Sequence, residues 1–327
     1  MGSKAVQVGS VNVAPGEKGH GFLELGQRKD GTPIRCPLMI VNGASQGPVL
    51  WVQSCIHGDE FEGMQAIVNL YRMLDACKLG GALVAIPVVN VPAWETMERL
   101  TPMDGGNLNG AFPGMEDGPA TARMAYIITR EVLRTADYAL DLHGGGNALQ
   151  LLPYTAFHQE GDAGARSREL AEAYGFDLML KTQERKGWVA GTFYAEITAR
   201  GVPAVLAEAG YEGRLDEKYV TAHFEGLMNV MRALGMIDGD VRKSEKPCVV
   251  AGNEAVCVRA NRGGILKRTV TAGQLVEKDE TLAYIVDFFE ETLEIKRSPR
   301  SGVVLDLRTK PLVNQGDMIA FICPVCH

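Results

Sequence analysis

The chain has no run of eighteen apolar residues, and its first ten, Met1 to Ser10, lack the apolar stretch of an export signal. Both absences lead us to expect a cytoplasmic protein with no membrane partner. Basic excess is also missing. The 33 Lys and Arg against 40 Asp and Glu leave a net charge of −7, so nucleic acid is not an expected partner. A lipid anchor lacks its last element, because Met1-Gly2-Ser3 opens like a myristoylation signal but Val6 stands where Ser or Thr is required. The glycines at 105–106 and 144–146 do not form GxGxxG after a first strand, which removes a dinucleotide site. No repeat or low-complexity segment occurs. The seven cysteines are an odd number spread from Cys36 to Cys326; free thiols are expected, with Cys55, Cys248 and Cys257 inside apolar, strand-like runs. Cys323 to His327 reads CPVCH, a haem-attachment pattern, but it ends a chain with no export signal, so no haem is assigned.

At 327 residues with 46% hydrophobic and 22% charged content, the chain can bury a large core and has room for a second domain. From about 48 to 235, short apolar runs alternate with helical stretches. Pro48 to Cys55, Ala82 to Val89, Tyr138 to Leu142 and Pro203 to Ala207 read as buried strands. Phe61 to Leu79, Ala120 to Thr135, Ala163 to Tyr174 and Asp216 to Leu234 carry helical spacing. Apolar strands separated by helices predict an α/β fold with helices on both faces of the sheet. After Lys246 helical periodicity disappears, and strand-like segments separated by turns predict a small all-β domain. We therefore expect a catalytic domain over 1–245, opening with a β-rich segment over 1–45, and a C-terminal β domain over 246–327.

The first chemical signal is His57-Gly58-Asp59-Glu60, where a strand gives way to a helix. Imidazole and carboxylate three residues apart can converge on one point and suit zinc. Gly58 is read as the bend between them. Alone, HxxE is too common to carry an assignment. Asp141-Leu142-His143-Gly144-Gly145-Gly146 adds a histidine at another strand end, with glycines that permit a close approach. Asp141 and His143 share a face of that strand, making Asp141 a candidate acceptor for the free N–H of a ligating histidine, His57 foremost. Glu208 closes the strand Pro203 to Ala207, an expensive place for a carboxylate unless it is paired or used. Convergence at carboxyl ends of strands, where open α/β sheets bind ligands, is what turns three weak signals into a site. Two imidazoles and a carboxylate leave zinc an open position, and a further carboxylate can relay a proton from the attacking water to a leaving amine. His20, His158 and His223 have no partner at ligand spacing and are read as ordinary.

These residues resemble the succinylglutamate desuccinylase/aspartoacylase family of the zinc carboxypeptidase-like clan. The matching pieces run in order: HGDE at 57–60, N-x8-R from Asn90 to Arg99, NLN-x-x-FPG at 107–114, DLHGG at 141–145 and EAG at 208–210. The similarity spans about 48 to 235, and the branch acting on N-acetyl-diaminobutyrate-like and other N-acyl amino acids looks nearest. It implies a zinc carboxypeptidase-like mixed sheet, one Zn2+ per chain on His57, Glu60 and His143, and Glu208 as general acid/base. It further implies that Arg99 stabilises the oxyanion and Asn109 hydrogen-bonds the substrate. The implied activity is hydrolysis of a linear amide in a small N-acylated amino acid or amine. A carboxypeptidase on short peptides and an inactive binding or assembly protein are the competing readings.

One position departs from the family. Asn-Arg-x-Phe is usual where this chain has Asn109-Gly110-Ala111-Phe112, so the arginine expected to clamp a substrate carboxylate is missing. Either the substrate lacks that carboxylate, or another cation supplies the charge. Arg123 and Arg185 are the candidates, and Arg185, in the loop-like stretch 184–188, is preferred. The β-rich tail is read as a lid or a homo-oligomer surface.

Overall fold

The computed structural model describes residues 4–325, so the myristoylation-like Met1-Gly2-Ser3 and the Cys326-His327 end lie outside the described residues. The main sheet takes nine strands: β1 (Glu17–Gln27), β2 (Pro33–Asn42), β3 (Ser45–Ser54), β4 (Gly80–Ile86), β5 (Tyr138–His143), β6 (Tyr154–His158), β7 (Leu178–Thr182), β8 (Ala204–Glu208) and β9 (Cys248–Ala251). Their spatial order is β9-β7-β6-β8-β5-β3-β4-β2-β1. Strands β8, β5, β3 and β4 are mutually parallel, β2 runs antiparallel to both β4 and β1 at one edge, and β6 pairs antiparallel with β8 inside the sheet. Six helices connect them: α1 (Glu62–Met73), α2 (Val91–Thr96), α3 (Ala120–Thr135), α4 (Gly161–Tyr174), α5 (Phe193–Thr198) and α6 (Glu217–Ala233). The mixed α/β sheet with helices on both faces is the architecture that the sequence predicts. Among the described residues, no helix is long and apolar enough to cross a membrane.

Strand alternation sorts the core into two layers. Leu50, Val52, Leu140, Leu142, Val205 and Ala207 pack with α1, α4 and α6. Trp51, Ala139, Ala204 and Leu206 point the other way, toward α3, α5 and the C-terminal region. By the same parity Gln53, Asp141, His143 and Glu208 face the α5 side. Because β8, β5 and β3 are parallel neighbours, their carboxyl ends lie along one edge, with Glu208 opposite His143 and Ser54 opposite Leu142.

The C-terminal region is all antiparallel, as expected, with a core of residues such as Leu266, Leu282, Ile285, Val304 and Ile319. It is stitched to the main body. Strand Leu149–Leu151 pairs with Gly302–Arg308, and Thr309 N donates to Ala148 O at 2.7 Å. Trp188 meets the Phe321 ring edge-on at 5.8 Å. Cys248–Ala251, which reads in sequence as the opening of the β tail, instead runs parallel to β7 as the outermost strand of the main sheet. Cys248 also departs from the free-thiol expectation: half-buried at that sheet edge, it is disulfide-bonded, while Cys36, Cys55, Cys77, Cys257 and Cys323 are free.

Candidate active site

The loop that leaves β3 carries His57 and Glu60. Cys55 takes a left-handed backbone, φ 52°, which turns the chain off the sheet edge. Asn90, at the N-terminus of α2, then pins the loop. Its side-chain oxygen accepts from Ala93 N, and its amide donates to Ile56 O at 3.1 Å and to Thr101 Oγ1 at 3.0 Å. Gly58 serves packing more than bending, since a Cβ there would sit 2.1 Å from Ala93 O. Gly146 is needed for both reasons, having φ 52° and the Asp59 carboxylate where a Cβ would go.

His57, Glu60 and His143 are each about 2% exposed or less, and one ligand atom from each lies within 4.8 Å of the others. Their hydrogen bonds fix the tautomers. His57 Nε2 faces Asn107 Oδ1 at 3.2 Å, an oxygen that also accepts from Asn109 N, so the ring proton belongs on Nε2. His143 Nε2 faces Asp141 Oδ2 at 2.9 Å, which places a proton on Nε2 as well. Both Nδ1 atoms therefore turn to Glu60, His57 to Oε1 at 2.7 Å and His143 to Oε2 at 2.8 Å. Two ring nitrogens aimed at one carboxylate need a cation among them, which is a proton on His143 Nδ1 in the metal-free protein and a metal ion once one binds. The donor set fits a divalent metal with imidazole and carboxylate ligands.

At His143 burial opposes charge, but the Asp141 and Glu60 carboxylates more than offset it and hold the imidazole well above its usual range, so a metal bound here would replace a proton on Nδ1. Burial pushes the His57 imidazole down to about 4, aided by Arg99, so it is neutral and free to ligate. Burial pushes Glu60 up, but the two imidazoles beside it more than offset this and hold the carboxylate well below its usual range. Burial drives Glu208 well above the usual carboxylate range, with Glu60 and Asp306 adding to the rise and His143 opposing it. Among the described residues Glu208 makes no side-chain hydrogen bond. A carboxyl that can hold a proton, lying opposite a candidate ligand, has the properties of an acid/base group.

These groups open on a cavity of about 750 Å³, lined among others by His57, Arg99, Asn109, Glu208 and, from the C-terminal region, Asp306 and Lys310. Arg99 Nη1 lies 3.2 Å from His57 Nδ1 and 3.3 Å from Glu60 Oε1. Asn109 accepts from Phe193 N at 3.0 Å and keeps its amide on the cavity side, 3.4 Å from His143 Nε2. Asp141 stands behind His143 rather than His57, because residues two apart on one strand share a face; its second oxygen accepts from Gln53 at 3.3 Å. Arg185 is not brought to the cavity. It lies between Glu196 at 3.2 Å and Glu160 at 3.8 Å, where its charge is already matched. Arg123 is exposed and lays its stem beside Gly26 of β1.

Sequence reading missed three contributors. Asn107 lies inside the NLN motif, which could have marked it. Asp306 had no local signal. His223, read as ordinary, is buried on α6 and joins two strand ends: its Nε2 faces His143 O at 3.1 Å and Ala209 O at 3.0 Å, and Tyr174 donates to Nδ1 at 2.7 Å. Burial pushes His223 from 6.5 down to about 4, so it is neutral in the fold. The unfolded chain binds more protons between those values, so its contribution to stability is full above about 6.5 and is lost as pH falls toward 4. His223→Gln keeps a donor for the carbonyls and cannot protonate. Urea unfolding should show a shallower loss of stability in this variant between pH 6.5 and 4; equal slopes in both proteins would contradict a neutral His223.

A model of the succinylglutamate desuccinylase/aspartoacylase catalytic domain matches residues 46–234. The N-alpha-acetyl-L-2,4-diaminobutyric acid deacetylase of Halomonas elongata is 31% identical over 315 residues, covering 94% of this chain and 91% of the relative. Among solved structures, the product-bound ectoine utilization protein EutE (DoeB) from Ruegeria pomeroyi superposes with a TM-score of 0.88 at 26% identity, covering 98% of this chain and 99% of that one. A succinylglutamate desuccinylase from Silicibacter sp. TM1040 gives 0.86 at 25% identity, covering 98% and 100%.

Proposed function

The chain belongs to the succinylglutamate desuccinylase/aspartoacylase family, and from that premise we propose that it is a zinc-dependent deacylase hydrolysing the amide bond of small N-acylated amino acids. The observation that carries this reading is the pair of Nδ1 atoms converging on Glu60, with Glu208 in register beside His143 at the cavity wall. His57, Glu60 and His143 would hold the metal. When bound, zinc would polarise the acyl oxygen and make a water more acidic.

The protein's own groups then divide the work. Glu208 takes a proton from the attacking water as oxygen adds to the acyl carbon. It returns the proton to nitrogen as the C–N bond breaks, releasing a carboxylate and an amine. Arg99 places a fixed positive charge beside the point where the oxyanion develops. Asn107 and Asp141 hold the two rings in the tautomer that presents Nδ1. Asn109 offers an amide to the substrate. A panel of N-acyl amino acids, N-acyl diamines and short peptides tests the proposal: turnover should be confined to the N-acyl compounds, and a preference for peptides would overturn it.

The family arginine missing at Gly110 leaves room for a side chain. A Cβ there would meet only the Asn107 side chain, at 3.9 Å, and the backbone is not left-handed. Gly110→Arg should therefore fold and shift relative rates toward substrates with an additional carboxylate, by about tenfold for one new charge-assisted contact. Unchanged relative rates across the panel would remove that idea.

A further inference from the structure

Strand Gly302–Arg308 contains a β-bulge. Val304 pairs with Ile322 and Asp306 with Phe321, so Leu305 is the extra residue. Its side chains therefore do not simply alternate. Val303 and Leu305 pack into the catalytic core, whereas Val304 and Leu307 pack into the core of the C-terminal region. Without the bulge, Asp306 would follow Val304 into that apolar core. With it, Asp306 lines the cavity that holds Glu208 and Arg99.

There Asp306 is left without a partner. Its Oδ1 is shut from solvent and accepts no hydrogen bond among the described residues. Arg308, two residues along, turns its Nη2 to Asp317 at 3.0 Å and to Leu312 O at 3.0 Å, leaving its own Nε unbonded. Arg99 acts on Asp306 only through its field, with no ion pair between them. A carboxylate set into a cavity wall without a cation is costly to the fold, and a ligand cation would relieve that cost.

We infer that Asp306 is a specificity residue whose carboxylate takes the free ammonium group of an N-acyl diamino acid, a substrate in which one amine is acylated and the other is not. The inference rests on the deacylase reading of this cavity and assigns a residue of the C-terminal region to substrate choice. An ammonium fits because it brings both the missing charge and a donor for the unbonded oxygen. Lys310, exposed on the same cavity and with no ion pair among the described residues, leaves a complementary place for a carboxylate. Burial pushes the Asp306 carboxyl up to about 7, against the opposing charge of Arg99. A bound ammonium would hold it ionised.

Calorimetric titration of the zinc-loaded protein with 2,4-diaminobutyrate and with 2-aminobutyrate, which differ by one amine, tests this without relying on turnover. The diamine should bind about 10- to 100-fold more tightly, and Asp306→Asn or Asp306→Ala should abolish the difference while changing 2-aminobutyrate affinity by less than about threefold. Equal affinities in the wild type, or a preference that survives in a folded Asp306 variant, would overturn the inference. Hydrolysis of N-acetyl-2,4-diaminobutyrate and N-acetyl-2-aminobutyrate separates this from the broader proposal. A retained binding preference with no turnover of either compound would sink the deacylase reading alone. Turnover of both at equal efficiency would sink only the role of Asp306.

Discussion

Replacing Glu208 by alanine should leave the bound metal in place and cut turnover by about 10²- to 10⁴-fold, the range that a positioned acid/base group contributes. The two effects separate because Glu208 is not among the groups whose ligand atoms converge, yet it lies opposite His143 in the parallel register. Its lack of a side-chain partner makes the substitution gentle on the fold. Glu208→Gln is the sharper variant, keeping the shape and losing the proton. Metal analysis and single-turnover rates on the same sample check the prediction. Full activity in either variant would remove Glu208 from the chemistry.

The second large effect belongs to His143→Ala. His143 stands between Glu60 Oε2 at 2.8 Å and Asp141 Oδ2 at 2.9 Å, and all three are buried. Removing the ring would delete a proposed ligand, and metal affinity should fall by more than the roughly 10- to 100-fold typical of losing an outer partner. It also leaves two buried carboxylates facing a void, which should cost about 3–5 kcal/mol of stability. Denaturant unfolding of metal-free wild type and variant isolates the second effect. His143→Gln, which retains a donor, should recover part of the stability and none of the turnover. A variant as stable as wild type would contradict the charge arrangement described above.

Much of this site is legible in the sequence because it lies at strand ends. Glu208 and His143 each close an apolar run, and parallel neighbouring strands bring such ends together whatever their separation in sequence. Helix Ala120–Thr135 has the limits its periodicity predicts. By contrast α1 stops at Met73, although apolar spacing continues toward Leu79, because the Asp75 side chain accepts from Cys77 N at 3.0 Å and takes the backbone out of the helix. Strands β6 and β7 give no alternation to read, being buried almost throughout. Asp141 is recognisable as an outer acceptor, but its partner is decided by strand geometry. Asp306 is invisible to local pattern because only the bulge, a property of pairing with Met318–Cys323, turns it to the cavity. Arg185 shows the reverse error, a cation in a loop-like stretch whose charge is satisfied by Glu160 and Glu196.

The most direct test is a metal titration of chelator-treated protein, with N-acetyl-2,4-diaminobutyrate hydrolysis followed alongside metal content. Structural coupling between ligands and fold predicts that activity returns in proportion to zinc and saturates at about one ion per chain. The Glu60→Ala protein should neither retain that ion nor recover activity. Undiminished hydrolysis by carefully stripped protein, or full recovery in Glu60→Ala, would contradict the metal centre built on His57, Glu60 and His143.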